Sequence, residues 1–235
     1  MSQDAPASRD APAKTGNQSP APDSSPLTEA ERRSWFVDKE FAYDWASGQF
    51  PIWIRFFAHL RDHPLKMLEI GSYEGRSAIF FLNYLRQSSL TCVDPWDSSV
   101  LEPDLVKLMP EILIEYPQAE ARFDRNLAEF SGRLTKIKAR SSDALAELGV
   151  SAERFDLIYV DGEHRRAAAY RDCVLSWALL KPGGLLLIDD YGFGEGLAEE
   201  IRPRLGIDAF FKDMAGQFDE LHKEYQILAR KREPR

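Results

Sequence analysis

Acidic residues close several short apolar runs of this 235-residue sequence. Glu69 lies in the run MLEI and Asp94 ends LTCVD, while Asp161 ends FDLIYVD and Asp189 and Asp190 end LLLIDD. One such acid would mean little, because aspartate is also common in turns and helix caps. Four runs that carry acids at or near their ends indicate a shared site for a ligand.

The apolar runs alternate with longer stretches of helical spacing. This pattern predicts βαβ units, and therefore a mostly parallel sheet with helices on both faces. Ligands of such sheets bind at the carboxyl ends of the strands, where these acids lie. Two strand-like runs close together, 218–222 and 225–230, predict an antiparallel hairpin at the end of the sheet. The other predicted strands are 67–70, 90–94, 134–139, 155–161 and 185–190, and the clearest predicted helices are 75–86 and 165–180.

The sequence before the first strand divides into two parts. Residues 1–26 contain no aromatic residue and, after Met1, no aliphatic residue larger than alanine, which predicts a disordered tail. Residues 27–64 predict two amphipathic helices, 28–45 and 52–62, that would cap the sheet or the pocket or form the contact of a homodimer. Thr28 and Glu31 have the spacing of a capping box. The strand-rich domain then occupies residues 65–235.

Composition narrows the classes of partner. A net charge of −8 without a lysine- or arginine-rich block argues against nucleic acid, whose phosphates need clustered positive charge. The sequence has neither an 18-residue apolar run nor the apolar core of a secretory signal, which predicts a cytoplasmic protein without a membrane segment. Cys92 and Cys173 lie in apolar runs without CxxC spacing, so we expect buried thiols rather than a zinc site.

The turn LEIGSYEGRS after the first strand favours one kind of cofactor. A dinucleotide turn needs glycines where this sequence has Tyr73 and Arg76 after Gly71, which argues against a bound pyrophosphate. Glu69 adds negative charge suited to a cationic nucleoside, and Asp94 is placed to accept both ribose hydroxyls. S-adenosylmethionine, with its ammonium, sulfonium and ribose diol, therefore fits this turn better than NAD.

Six stretches, in order, carry a resemblance to a known family: LEIGSYEGRS, VDPW, SSDAL, FDLIYVDGEH, LLKPGG and LLIDDY. Together they resemble the class I S-adenosylmethionine-dependent methyltransferases. Within that class they are similar to the catechol and caffeoyl-CoA O-methyltransferase branch and to bacterial small-molecule O-methyltransferases with a DGxH motif. The resemblance covers about residues 65–230. It implies a Rossmann-like, doubly wound α/β fold with seven strands, one of them antiparallel near the C-terminus.

The resemblance also assigns cofactor contacts. It implies that one group lines the methionine end, that Asp94 holds the ribose, and that a second group after the third strand lies beside the adenine. Members of the second group have the alternative role of a helix N-cap. Trp96 is a candidate cover for the adenine, and Arg76 is either a cofactor contact or a solvated residue of the first helical turn. The first group is Glu69, Gly71, Tyr73, Gly75 and Ser77, and the second is Ser141, Ser142 and Asp143.

The same resemblance implies a metal site and a candidate catalytic base. Metal-dependent relatives bind a divalent ion with an acid after strand four and an acid–amide pair after strand five, which implies Mg²⁺ on Asp161, Asp189 and Asp190. Asp190 departs from the pattern, because those relatives have asparagine there. His164 lies three residues after Asp161 and can accept a hydroxyl proton near neutral pH. The alternatives are solvated loop acids and a histidine that only ties down its loop.

The sequence therefore predicts an S-adenosylmethionine-dependent O-methyltransferase, assisted by Mg²⁺, that acts on a hydroxyl of a small organic molecule. The alternatives are a metal-independent N- or protein methyltransferase on the same fold and a non-catalytic cofactor-binding subunit. The long segment 98–129 is a candidate lid or pocket wall. An apolar acceptor pocket could have a roof of Trp35, Phe36, Trp45, Trp53, Phe56 and Phe57.

Overall fold

A computed structural model describes residues 27–101, 103–152 and 154–234, so the predicted tail 1–26 lies outside the described residues. Within them seven strands form one sheet with α-helices packed around it. The strands are β1 Lys66–Ile70, β2 Ser89–Asp94, β3 Leu134–Lys138, β4 Phe155–Val160, β5 Leu180–Ile188, β6 Phe218–Lys223 and β7 Ile227–Lys231. The α-helices are α1 Glu29–Ser34, α2 Phe50–Phe57, α3 Arg76–Tyr84, α4 Pro103–Leu108, α5 Ile112–Leu127, α6 Ser141–Val150, α7 Arg166–Leu179 and α8 Pro203–Asp213.

The strand order, β3-β2-β1-β4-β5-β7-β6, is that of a doubly wound sheet. Strands β1 to β5 are parallel to one another, and β7 runs antiparallel to both of its neighbours, β5 and β6. The predicted fold, with one antiparallel strand and a terminal hairpin, is confirmed. The order reverses between β1 and β4, which is where such sheets bind their ligands.

The strand registers bring the acidic ends together. Ile70, the last residue of β1, pairs with Val93 on one side and with Val160 on the other, and Val160 pairs with Ile188. Because these strands are parallel and end level with one another, the residues that follow them meet at one edge of the sheet. The residues at this edge are Gly71, Asp94, Asp161 and Asp189.

Alternation along each strand assigns side chains to two cores. Met67, Cys92 and Tyr159 contribute to the core beneath α2, α3 and α5, whereas Leu68 and Ile158 contribute to the core beneath α6, α7 and α8. Side chains two residues apart share a face, so Glu69 points toward the first core together with Met67. This parity places an acid inside the apolar layer beneath the leading helices.

The leading region differs from its prediction. Thr28 caps α1, since its hydroxyl accepts a hydrogen bond from the amide of Glu31 at 3.1 Å. The expected helix 28–45 is wrong beyond Ser34, because Asp38 adopts a left-handed φ of 60° that a helix cannot contain. An irregular segment, 35–49, therefore connects α1 to α2.

The segment 98–129 is mostly a covering helix rather than a lid. Helix α5 buries Ala119, Phe123 and Leu127 in the first core, while Leu113 and Ile114 near its start are exposed. Most of the proposed roof aromatics also pack in or against this core, and Trp45 is the exception, at 50% exposure. Among the described residues, each helix is too short or too polar to cross a lipid bilayer.

Candidate functional site

The turn after β1 is built around two glycines with left-handed backbone, Gly71 at φ 84° and Gly75 at φ 82°. A Cβ on Gly71 would lie 1.7 Å from the carbonyl oxygen of Asp161, and one on Gly75 would lie 2.6 Å from Leu127 Cδ1. Gly71 and Gly75 lie against the end of β4 and helix α5, and their place at the methionine end of the cofactor stays a prediction. The turn is therefore fixed by its own protein neighbours, and Tyr73 within it also adopts a positive φ of 44°.

Glu69 is fully buried at the base of this turn. Its Oε2 accepts hydrogen bonds from Ser72 Oγ at 2.8 Å and Cys92 Sγ at 3.2 Å, whereas Oε1 has no hydrogen-bond donor among the described residues. Burial raises the pKa of Glu69, and the hydrogen bonds from Ser72 and Cys92 oppose the rise. A buried carboxylate with a vacant acceptor fits the ammonium of an amino-acid-bearing cofactor.

Asp94 ends β2 with its carboxylate 5% exposed. The Tyr73 amide donates to Oδ2 at 2.9 Å, and the Trp96 amide donates to Oδ1 at 2.8 Å. The hydroxyl of Tyr116, on α5, also donates to Oδ1, at 3.2 Å. Burial raises the pKa of Asp94 and these donors oppose the rise. Sequence reasoning missed Tyr116, because no local pattern indicates that a residue of α5 reaches the end of β2.

Four aromatic rings line the approach to this carboxylate, and we call them the aromatic stack: Tyr43, Trp45, Tyr73 and Tyr116. Successive ring centroids lie 4.8, 5.0 and 5.6 Å apart. Trp96, a predicted cover for the adenine, instead packs on Phe123 and donates to the Tyr73 carbonyl at 2.7 Å. The exposed member of the stack is Trp45, which comes from the irregular segment before α2.

Two arginines hold that irregular segment against the turn. Arg76 Nη1 donates to Ser47 Oγ at 3.1 Å, and its guanidinium lies 4.1 Å from the ring centre of Phe41, so it anchors the segment and is not solvated. Arg122, on α5, pairs with the buried Glu74 at 2.7 Å. The second oxygen of Glu74 accepts from the amide of Ala42 at 2.7 Å. Residue 74 of the turn therefore joins the segment to α5.

The residues expected beside the adenine form the first turn of α6. Ser141 Oγ is 2.9 Å from Asp172 Oδ1 and 3.0 Å from its Oδ2, and Ser142 Oγ contacts Asp143 Oδ1 at 3.3 Å. The N-cap position is Arg140, which makes no side-chain capping hydrogen bond. The alternative role of these residues as an N-cap is therefore not what the structure shows. Their role beside the adenine stays a prediction.

Asp161, His164 and Asp190 meet at the ends of β4 and β5, with potential ligand atoms within 4.8 Å of one another. His164 Nε2 lies 2.7 Å from Asp190 Oδ2, and the hydroxyl of Tyr225 donates to Asp190 Oδ1 at 2.7 Å. Burial opposes ionisation of Asp190, yet the charge and the hydrogen bond of His164 hold its pKa below the usual value. The geometry is that of a histidine oriented by a carboxylate.

Asp189, the third expected ligand, is turned toward the protein interior. Its Oδ2 accepts hydrogen bonds from the Tyr159 hydroxyl and from Gln226 Nε2, the latter at 2.7 Å, and its Oδ1 accepts from the Asp190 amide at 2.7 Å. It is not one of the three residues whose ligand atoms cluster, so its place on a metal stays a prediction. Tyr159 lies within the stretch FDLIYVDGEH but was given no role there, and Gln226 lies outside the quoted stretches, so sequence reasoning missed both.

The charges at this edge fit a divalent cation. Burial and repulsion by Asp189 and Asp190 raise the pKa of Asp161 well above its usual range, and burial with repulsion by Asp190 raises that of Asp189 to about 6. The hydroxyl of Tyr159 lies within hydrogen-bond reach of both Asp161 and Asp189, but its single proton serves only one of them. Clustered carboxylate oxygens in excess of donors are the ligand set that Mg²⁺ prefers.

The chain is similar to known methyltransferases in sequence and in fold. The profile of a family described as a methyltransferase domain matches residues 68–191. An O-methyltransferase of Aspergillus hancockii, hkm8, is 29% identical over 139 residues, which are 59% of this chain and 47% of that protein. This chain therefore spans about half the length of the curated relative that it matches.

Solved structures share the fold. The O-methyltransferase from Bacillus cereus, described in complex with S-adenosylhomocysteine, has a TM-score of 0.60 and 16% identity, over 82% of this chain and 84% of its own. The methyltransferase MycE of mycinamycin biosynthesis, described with Mg, S-adenosylhomocysteine and mycinamycin VI, has a TM-score of 0.55 and 17% identity, over 85% of this chain and 53% of its own. At these identities the likeness is one of fold.

Proposed function

Because the chain belongs to the methyltransferase-domain family, we propose that it is an S-adenosylmethionine-dependent O-methyltransferase. Its acceptor is a hydroxyl of a small organic molecule, and Mg²⁺ assists the reaction. The observation that carries the proposal is the hydrogen-bonded His164–Asp190 pair beside Asp161, on the sheet edge that also holds Glu69 and Asp94. This arrangement joins a proton acceptor and a cation site to a nucleoside site.

The cofactor side is supported by two buried carboxylates. Glu69, with its vacant Oε1, would bind the ammonium, and Asp94 would bind the ribose hydroxyls. The turn that contains Gly71 and Gly75 would line the methionine part, and the first turn of α6, with Asp143, would line the adenine. When bound, S-adenosylmethionine supplies the electrophilic methyl group.

The metal side rests on the donor set at the ends of β4 and β5. Asp161 and Asp190 would hold Mg²⁺, and Asp189 either joins them or supports them from behind. A bound Mg²⁺ would lower the pKa of the acceptor hydroxyl and would orient that hydroxyl toward the methyl group. The structure of MycE, which shares the fold, is described with Mg and S-adenosylhomocysteine, and this supports Mg²⁺ as the ion proposed here.

In this proposal His164 is the base that accepts the proton of the acceptor hydroxyl. The imidazole would accept the proton of the acceptor hydroxyl, and Asp190, 2.7 Å away, would stabilise the resulting positive charge. The oxygen would take the methyl group as its bond to sulfur breaks, which leaves S-adenosylhomocysteine. Phe193, with its ring centre 4.9 Å from that of His164, packs against the imidazole. Methyl transfer needs a linear approach of two groups, so holding both at one edge supplies much of the acceleration.

We further place this enzyme in the cytoplasm, with a small-molecule partner and no nucleic acid. The free, buried Cys92 and Cys173 and the net charge of −8 support this placement. The exposed ring of Trp45, in the irregular segment, supports the proposal that the acceptor molecule has an apolar face. The leading helices also remain available as the contact of a homodimer.

The test combines binding with turnover. Calorimetry should detect S-adenosylhomocysteine binding and no NAD binding, and a panel of phenols, alcohols and amines should show methylation of oxygen that EDTA abolishes and Mg²⁺ restores. Methylation of amines alone, undiminished by EDTA, would contradict both the acceptor and the metal. Tight NAD binding would contradict the cofactor.

A further inference from the structure

We propose that Gln226 is a positioning residue for the carboxylates at the ends of β4 and β5, and that Trp53 in turn holds Gln226. The proposal rests on the proposed function in one respect, namely that these carboxylates bind a divalent cation. Neither residue touches that cation, the cofactor or the acceptor. Both act through Asp189.

The contacts form a continuous buried path. Trp53 Nε1 donates to Gln226 Oε1 at 2.8 Å, and Gln226 Nε2 donates to Asp189 Oδ2 at 2.7 Å. The same Asp189 oxygen accepts from Tyr159, whose hydroxyl is also 3.0 Å from Asp161 Oδ2. Trp53, Tyr159 and Gln226 are each 0% exposed, so water does not compete for these hydrogen bonds. We call this series of contacts the buried hydrogen-bond path.

The donor and acceptor groups determine the direction of each hydrogen bond in the buried hydrogen-bond path. An indole N–H only donates, so Trp53 requires the carbonyl oxygen of Gln226 and thereby turns the amide NH₂ toward Asp189. A glutamine beside a buried carboxylate could otherwise present either end. Trp53 belongs to α2 and Gln226 to the turn of the β6–β7 hairpin, so two elements outside the cation site determine the orientation of Asp189.

The position of Asp189 matters to its neighbours. Its Oδ1 accepts the amide of Asp190, which itself has a left-handed φ of 57°. Rotation of the Asp189 carboxylate would release that amide and the hydroxyl of Tyr159 together. The amide belongs to Asp190 itself, and the Tyr159 hydroxyl is 3.0 Å from Asp161 Oδ2, so both hydrogen bonds adjoin the expected ligands. Loss of such supporting partners typically weakens metal binding by about 10- to 100-fold.

The experiment measures cation affinity and not only activity. Mg²⁺ and Mn²⁺ would be titrated calorimetrically into the 235-residue wild type, Gln226→Met and Trp53→Phe. We expect Gln226→Met, which keeps length and loses the amide, to weaken cation binding about 10- to 100-fold. Trp53→Phe, which keeps an aromatic ring, should weaken it less. The double variant should bind about as weakly as Gln226→Met alone, because both changes break one path.

Two controls separate positioning from general damage. S-adenosylhomocysteine affinity measured without added cation, which depends on Glu69 and Asp94, should stay within about twofold of wild type in both variants. Ser176→Ala removes another fully buried polar group, in α7 on the opposite face of the sheet, and should leave cation affinity unchanged. If Gln226→Met does not fold, Trp53→Phe still gives the answer.

The outcomes distinguish this proposal from the proposed function. Wild-type affinity for the cation in Gln226→Met and Trp53→Phe would overturn the positioning role and leave the metal in place. Additive effects in the double variant, or an equal loss of S-adenosylhomocysteine affinity, would also overturn it. A wild type that binds neither cation removes the metal from the proposed function, and with it this role of Gln226.

Discussion

Replacing Glu69 by glutamine should move stability and cofactor affinity in opposite directions. Burial raises the pKa of Glu69, so the folded protein disfavours its charged form. A carboxyl group with a raised folded-state pKa stabilises the protein at acidic pH, and that stabilisation is lost as pH rises through the folded-state pKa. Glu69→Gln removes this dependence. Without cofactor, we expect the variant to unfold at a higher temperature than wild type at pH 8.

The expected magnitudes follow from the contacts. Glutamine is isosteric, and its carbonyl can keep the hydrogen bonds from Ser72 and Cys92. Its NH₂ then lies where Oε1 has no donor, and an unpaired buried amide costs about 1–3 kcal/mol, less than an unpaired buried charge. The lost contact to the ammonium is a charged hydrogen bond worth about 1.5–3 kcal/mol, so S-adenosylhomocysteine should bind about 10- to 150-fold more weakly.

The assay is thermal unfolding of both proteins from pH 4.5 to 8, with calorimetric titration of S-adenosylhomocysteine at pH 8. The melting-temperature difference should widen in favour of the variant as pH rises. Glu74→Gln is the matched control, since Glu74 is equally buried but paired with Arg122, and its loss should destabilise at pH 8. A less stable Glu69→Gln at pH 8, or one with wild-type cofactor affinity, would refute the reasoning.

Other predictions concern single groups of the site. Asp94→Ala should weaken S-adenosylhomocysteine binding by about 1.5–3 kcal/mol in calorimetry, and unchanged affinity would remove Asp94 from the cofactor site. Tyr116→Phe should instead tighten it by about 2- to 10-fold, because the Tyr116 hydroxyl competes with the ribose for Asp94; weaker binding would make Tyr116 a cofactor contact. His164→Ala should lower kcat by about 10²–10⁴-fold at saturating Mg²⁺ and leave S-adenosylhomocysteine affinity unchanged, and an undiminished kcat would exclude His164 as the base. Asp161→Ala should abolish Mg²⁺ binding in calorimetry with cofactor affinity retained, and wild-type Mg²⁺ binding would exclude Asp161 as a ligand.

The sequence predicts the sheet well because its signals are local. Most of the parallel strands are short apolar runs, the hairpin strands are close together in the sequence, and the acids lie in or directly after the strands. The irregular segment before α2 has no such signal. Its helical spacing is sound as far as Ser34, but Asp38 adopts a left-handed φ, and the contacts of Arg76 and Glu74 that hold the segment come from residues that a local sequence window does not contain.

The candidate site likewise contains some residues that local sequence signals predict and others that they do not. Glu69 and Asp94 are predictable because strand parity and strand ends place them. Tyr116 lies 22 residues from Asp94, and Gln226 lies 37 residues from Asp189, so their hydrogen bonds depend on how helices and the hairpin dock on the sheet. The orientation of Asp189 is set by partners of this kind, which is why a ligand assignment from motif position alone cannot describe it.

The contact between Gly71 and Asp161 has a thermodynamic consequence. With no room for even a methyl group between Gly71 and the backbone carbonyl of Asp161, the loop on the nucleoside side and the loop on the carboxylate side share one wall. A cation that shifts the backbone of Asp161 would also shift the turn at Gly71, and a nucleoside that shifts the turn would reposition Asp161. Linkage makes the two effects equal: the factor by which Mg²⁺ alters S-adenosylhomocysteine affinity is the factor by which S-adenosylhomocysteine alters Mg²⁺ affinity.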